Sequence, residues 1–263
     1  MRIARRLAGL AVVVATASTA ALAPVSPAQA QPGAHYVSLG DSFSSGSGAA
    51  DYRDGDCLRS EHSFPVLLTE LNELELSFAA CGGADIHDVR NSQLPMLDPS
   101  TDRVTISVGG NDAGWADVIG HCVLAADDAC AERIDTAEDY ITGELHAALT
   151  GLYRDIRTRA PEAAVMAVGY PRLFAEAPCE SAPGLTEQEQ QWLNDAADLL
   201  NRVTLRAATE AGIRFADPRT AFTGHAVCDE DPWMHGLSNV PGDAFHPNPA
   251  GYAGYAEFID WMW

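Results

Sequence analysis

The chain has 263 residues, with 16 Lys+Arg against 37 Asp+Glu and a formal net charge of −21. Every basic residue is an arginine, which excludes a Schiff-base or P-loop lysine, and the acidic balance argues against a nucleic-acid groove and against electrostatic docking on anionic lipid. At 47% hydrophobic and 20% charged, the composition is that of a soluble globular chain long enough for one well-buried core.

The first thirty residues read as a secretory signal. Arg2, Arg5 and Arg6 precede an apolar stretch from Leu7 to Val14, and Ala28-Gln29-Ala30 supplies a small-x-small cleavage site. Thr16, Ser18, Thr19, Pro24, Ser26 and Pro27 interrupt the run of about 20 apolar residues that a membrane span needs. The Arg5-Arg6 pair does not separate general export from the twin-arginine route. The expectation is a secreted chain with one domain, from Gln31 to Trp263, no integral membrane segment and a monomeric state, since heptads and exposed apolar segments are absent from the pattern.

From Gln31 onward, short apolar runs alternate with helical periodicity, the pattern of a parallel sheet covered on both faces. Strands are predicted at His35–Leu39, Leu76–Ala79, Val104–Val108, Ala164–Val168 and Ile213–Phe215. Helices are predicted at Ser63–Leu74, at Tyr140–Arg159 with apolar Ile141, Leu145, Leu149, Leu152 and Ile156, and at Thr186–Ala211 behind a Thr186/Glu189 capping box. A last helix is predicted from the Asn248 cap and Pro249 to the end. Ser45–Glu61, Cys179–Gly184 and Ala221–Gly242 read as loops.

All six cysteines, Cys57, Cys81, Cys122, Cys130, Cys179 and Cys228, follow the leader. An even number in an exported chain implies disulfides, and about fifteen pairings of six are conceivable. Cys122 and Cys130 are close enough for a local pair. A sequential pairing, 57 with 81, 122 with 130 and 179 with 228, would close three loops, each worth roughly 2.5 to 4 kcal/mol in the chain-entropy account. Neither Cys-x-x-Cys nor His-x3-His occurs, so no zinc is expected. The spacing of Asp51, Asp54 and Asp56 is not that of an EF-hand, and an acidic solvated loop is the simpler reading.

Four short elements carry chemistry. Gly40-Asp41-Ser42 follows the first strand, at the carboxyl edge where open α/β sheets bind ligands. Alone it equally describes a turn and helix cap, and it is not the Gly-x-Ser-x-Gly elbow. Gly82-Gly83 and Gly109-Gly110-Asn111-Asp112 follow the next two strands, where exposed backbone N–H groups and a neutral amide could build an anion site. Near the end, Asp243-Ala244-Phe245-His246 spaces a carboxylate so that it could reach the imidazole Nδ1 and leave Nε2 free as a base. The other histidines lack such a neighbouring acid and serine. Trp233 and Met234 beside His235 could line an acyl site, or be ordinary packing.

In this order the four elements resemble the SGNH hydrolases, also called GDSL esterases and lipases, over nearly the whole exported chain. The three-cysteine-pair layout and the Phe-His-Pro-Asn-Pro-x-Gly-Tyr ending are similar to the secreted actinobacterial lipases, esterases and phospholipases. The resemblance implies a three-layer αβα, flavodoxin-like fold with a five-stranded parallel sheet, and the sequential disulfide pairing. It implies Ser42 as nucleophile, His246 as general base and Asp243 orienting it, with Ser42 N–H, Gly83 N–H and the Asn111 amide as oxyanion donors. Some relatives replace the carboxylate with a backbone carbonyl. The implied activity is hydrolysis of a small-molecule or lipid ester without metal or cofactor. The same site would serve a carbohydrate acetylesterase, and a secreted ligand-binding module without turnover is the alternative of another class.

Overall fold

The computed structural model describes residues 33–124, 127–175, 182–240 and 242–263. The expected leader therefore lies outside the described residues. In chain order the elements are β1 (His35–Gly40), α1 (Ser42–Ser45), β2 (Tyr52–Asp54), β3 (Arg59–Ser60), α2 (Phe64–Asn72), β4 (Glu75–Phe78) and α3 (Ile86–Asp88). Then come β5 (Arg103–Ser107), α4 (Trp115–Leu124), α5 (Asp127–Tyr140), α6 (His146–Arg159), β6 (Ala164–Val168), α7 (Glu187–Ala211), β7 (Arg214–Ala216) and α8 (Pro249–Met262).

Five strands form one parallel sheet in the order β4-β1-β5-β6-β7. The path steps one way from β1 to β4 and the other way from β5 to β7. Right-handed crossovers therefore place helices on both faces. On one side α2 packs with α8, and on the other α5 and α6 pack with α7. Because both faces are covered, the central strands have no solvent side: all of β5 and Tyr36–Gly40 of β1 are buried. The predicted αβα sandwich is the observed one, with strand limits within one residue of expectation.

Three local differences have physical causes. The helix expected from Tyr140 continues upstream through a π-helical turn, Ile141–Leu145, into α5. The buried stripe of α5 is Cys130, Ile134 and Ala137, too small in side-chain bulk to stand out among its acids. Helix α4, which buries Val118, Ile119 and Cys122, was not expected, and the acidic loop Ser45–Glu61 contains the β2–β3 hairpin.

Disulfides join Cys57 to Cys81 and Cys122 to Cys130. The first staples the β2–β3 connection to the loop after β4, the second ties α4 to α5. The expected 179–228 pairing involves Cys179, which lies outside the described residues.

Candidate active site

Strand β1 ends where the strand order reverses, between β1 and β5, which is the switch point at which doubly wound sheets open a crevice. Gly40 ends the strand at φ 120°, and a Cβ there would stand 2.1 Å from the Ser107 carbonyl of β5, so only glycine fits. Gln93 closes a two-bond clamp on it, accepting from Gly40 N–H at 2.6 Å and donating to its carbonyl at 2.9 Å. The next residue, Asp41, donates its N–H to the Ser107 carbonyl at 2.9 Å and caps α1 by accepting from Phe43 N–H at 3.0 Å. Ser42 is thus the first helical residue, half-buried, with its N–H among the orphan donors of a helix start.

Behind the serine lies a buried polar pair. Tyr170, just after β6, donates its hydroxyl proton to the second Asp41 carboxylate oxygen at 2.5 Å and accepts from Gly110 N–H at 3.3 Å. Asp41 is 2% exposed. Burial pushes its carboxyl up to about 7, against the lowering effect of the Tyr170 and Phe43 donors. Asn201 of α7 fixes Tyr170 in turn, accepting from its N–H and donating to its carbonyl.

The two glycine-containing loops are fastened to each other. The Asn111 amide donates to the Ala84 carbonyl at 2.9 Å, and both Asp112 carboxylate oxygens accept from Ile86 N–H at 3.2 Å. Burial raises the Asp112 carboxyl to about 6. In the first loop Gly82 has its N–H bound to the Cys57 carbonyl at 2.8 Å. Its neighbour Gly83 is exposed and at φ 82°, and with Gly82 and Ala84 it borders a pocket other than the one at Ser42.

His246 arrives from the opposite direction, on the loop before α8. Its Nε2 lies 2.7 Å from Ser42 Oγ. Its Nδ1 lies 2.9 Å from the Ala244 carbonyl. Here the structure corrects the expectation for Asp243, whose carboxylate does not take the Nδ1 position. The cause is a tight turn: His246 N–H donates to the Asp243 carbonyl at 3.0 Å, and Phe245, third in the turn, has φ 57°. That conformation, unusual for a bulky residue, directs the Ala244 carbonyl to the ring and leaves Asp243 only a weak through-space influence. Burial lowers the imidazole to about 4, partly offset by the Ala244 carbonyl, which raises it. Phe43 packs on the ring at 5.1 Å.

A cleft of about 460 Å³ opens at Ser42 and His246. Its walls are apolar: Phe43 and Phe245 near the serine, then Trp115, Ile119, Val123 and Leu124 along α4, with Leu237 opposite. Volume and lining suit an apolar chain. Trp233 and Met234 are not among the lining residues. Trp233 stacks on His225 at 3.8 Å and presses on α8 at Gly254, where a Cβ would lie 2.2 Å from the indole. Met234 is 2% exposed. His235 bonds the Gly48 carbonyl through Nε2 and the His246 carbonyl through N–H.

Sequence reasoning missed Tyr170, Gln93 and the α4 wall. Tyr170 follows a strand at the same carboxyl edge as the other elements, and α4 has apolar residues at 115, 118, 119 and 122, so both left a signal. The Ala244 carbonyl left none, being a backbone atom placed by a dihedral angle.

An imidazole holding a serine hydroxyl at the head of an apolar cleft, on the switch edge of an αβα sandwich, defines a serine hydrolase site. The GDSL-like Lipase/Acylhydrolase family matches residues 38–253. The chain is 42% identical to Lipase 1 of Streptomyces coelicolor, covering 95% of both. Its structure is similar to phospholipase A1 from Streptomyces albidoflavus and to the extracellular lipase of Streptomyces rimosus, each with TM-score 0.83 and 39% identity, covering 87% of this chain and 99% of theirs. An acetylxylan esterase from Geobacillus stearothermophilus, 16% identical with TM-score 0.56 over 88% of this chain and 94% of its own, shares the fold alone. The chain belongs to the GDSL-like lipase and acylhydrolase family, and its activity is that of a carboxylic ester hydrolase.

Proposed function

We propose that the protein is a secreted hydrolase of long-chain lipid esters working through an acyl-enzyme on Ser42. The observation that carries this reading is the 2.7 Å Ser42 Oγ–His246 Nε2 contact at the head of the apolar cleft. His246 Nε2 takes the hydroxyl proton as Oγ attacks the ester carbonyl, while the Ala244 carbonyl holds Nδ1–H and so fixes the tautomer. The alkoxide that forms is held by Ser42 N–H, Gly83 N–H and the Asn111 amide, which turns from its resting partner, the Ala84 carbonyl. His246 returns its proton to the leaving alcohol. Water, deprotonated by the same nitrogen, then releases the acid.

The cleft favours a long acyl chain over acetate, because an acetyl group would leave the α4 wall uncovered. Export is supported by the two disulfides, which belong to oxidising compartments, and by the leader pattern of residues 1–30. No helix among the described residues is long and apolar enough to cross a membrane.

Initial rates on p-nitrophenyl esters from acetate to palmitate, for wild type and Ser42→Ala, test the reading. Turnover that rises with chain length and vanishes in the variant is expected. Preference for acetate would return the carbohydrate acetylesterase, and turnover that survives Ser42→Ala would remove the serine from its role.

A further inference from the structure

Seven large apolar side chains are exposed among the described residues: Leu71, Met96, Leu124, Leu205, Leu237, Val240 and Trp261. Two of them line the Ser42 cleft, and they are at its open end. Leu124, the last residue of α4, is 88% exposed, and Leu237 on the facing loop is 46% exposed. Val240, 56% exposed, stands three residues further along that loop. A scattered exposed leucine needs no explanation, but two exposed leucines lining one apolar cleft do.

We propose that this mouth is a docking surface for a zwitterionic lipid layer, with Leu124, Leu237 and Val240 entering its apolar zone. The inference rests on the lipid-ester reading above. A long-chain ester in water resides in an aggregate, so its acyl chain must cross from that aggregate into the cleft past Leu124 and Leu237, which line it. With the rim immersed, the chain passes from one apolar medium to another without crossing water. Charge selects the layer. The protein has net charge −21 and no lysine, so attachment comes from apolar contact and an anionic layer is repelled.

Binding is measured on Ser42→Ala protein, so that lipid is not consumed, by co-sedimentation with phosphatidylcholine vesicles. Sedimentation insensitive to salt is expected, with less binding at low salt when phosphatidylglycerol is included. Leu124→Ser and Val240→Ser should each lower partitioning about tenfold, the effect of losing much of one leucine or valine transfer. Trp261→Ser, 82% exposed but outside the cleft lining, should change nothing. In the active enzyme, Val240→Ser should hydrolyse a soluble butyrate ester at the wild-type rate and lose activity on vesicles. No sedimentation, or equal loss in Trp261→Ser, overturns the proposal. So does a rim-dependent dimer in size exclusion, which would make a second copy the occupant. Failure of the wild type to hydrolyse even the soluble ester would instead sink the hydrolase reading, because sedimentation is read without turnover.

Discussion

Ser42 and His246 meet at hydrogen-bond distance, yet the parts of the molecule that carry them are built differently. The serine opens α1 directly after the interior strand β1, behind a glycine that tolerates no Cβ, with Gln93, Ser107, Asp41 and Tyr170 closing bonds around that strand end inside the core. The histidine sits on an irregular segment that runs from β7 to α8, held by a single turn, a strained Phe245 and the His235 bridge to Gly48. One half is positioned by the fold, the other by local backbone conformation. A disruption of the first half should therefore damage folding as well as catalysis, whereas changes in the second should act on catalysis first.

Removing the base itself is the severest break. His246→Ala should lower turnover on a soluble ester by on the order of 10⁴ to 10⁶, with an unfolding midpoint near that of the parent; an active variant would show that another group removes the serine proton. Next comes the proposed oxyanion donor Asn111, whose replacement in Asn111→Ala should cost about 10² to 10³ in kcat. Turnover within about threefold of wild type would take the amide out of the site. On the sheet side, Tyr170→Phe leaves the buried Asp41 carboxyl without one donor, a loss of about 1 to 3 kcal/mol in urea unfolding, and unchanged stability would show that the pair does not support the strand end.

The pH response sharpens the same contrast. Because burial lowers His246 to about 4, kcat/KM should stay flat down to about pH 5 and fall below it as the ring protonates. An inflection near 6.5, the ordinary value, would mean a solvated imidazole. For stability the two halves have opposite signs. With its pKa lowered, His246 binds protons more readily in the unfolded chain, so its contribution is lost as pH falls from about 6.5 to about 4. Asp41, raised to about 7, holds its proton in the fold, and its contribution is lost as pH rises from about 4 to about 7. The smallest effect is expected for Asp243→Asn, within about threefold of wild-type turnover, since the Ala244 carbonyl occupies Nδ1. A loss approaching 10⁴, the size seen when a triad carboxylate is replaced, would restore the acid to the orienting position.

The sheet half was the more legible one. Alternating apolar runs gave the five strands, and a motif at a strand's carboxyl edge is both a local string and a place in space. The histidine half reads less fully because its decisive feature, a positive φ at Phe245, has no signature in a residue type that normally avoids it. Asp243 has the right spacing for a triad and the wrong side of a turn. Trp233 and Met234 were ambiguous for another reason: aromatic and sulfur side chains suit a pocket and a core equally, and the glycines of α8 decide between them only in three dimensions. The long cleft wall stayed hidden because α4 is preceded by Gly114 rather than by a Ser, Thr, Asp or Asn start signal, and its apolar stripe at 115, 118, 119 and 122 is only about two turns long.

The bond between Cys57 and Cys81 stands directly before Gly82 and Gly83. Under reducing conditions that bond is lost, and the loop carrying Gly82 and Gly83 keeps only non-covalent ties to the hairpin side, among them the Gly82 N–H bond to the Cys57 carbonyl.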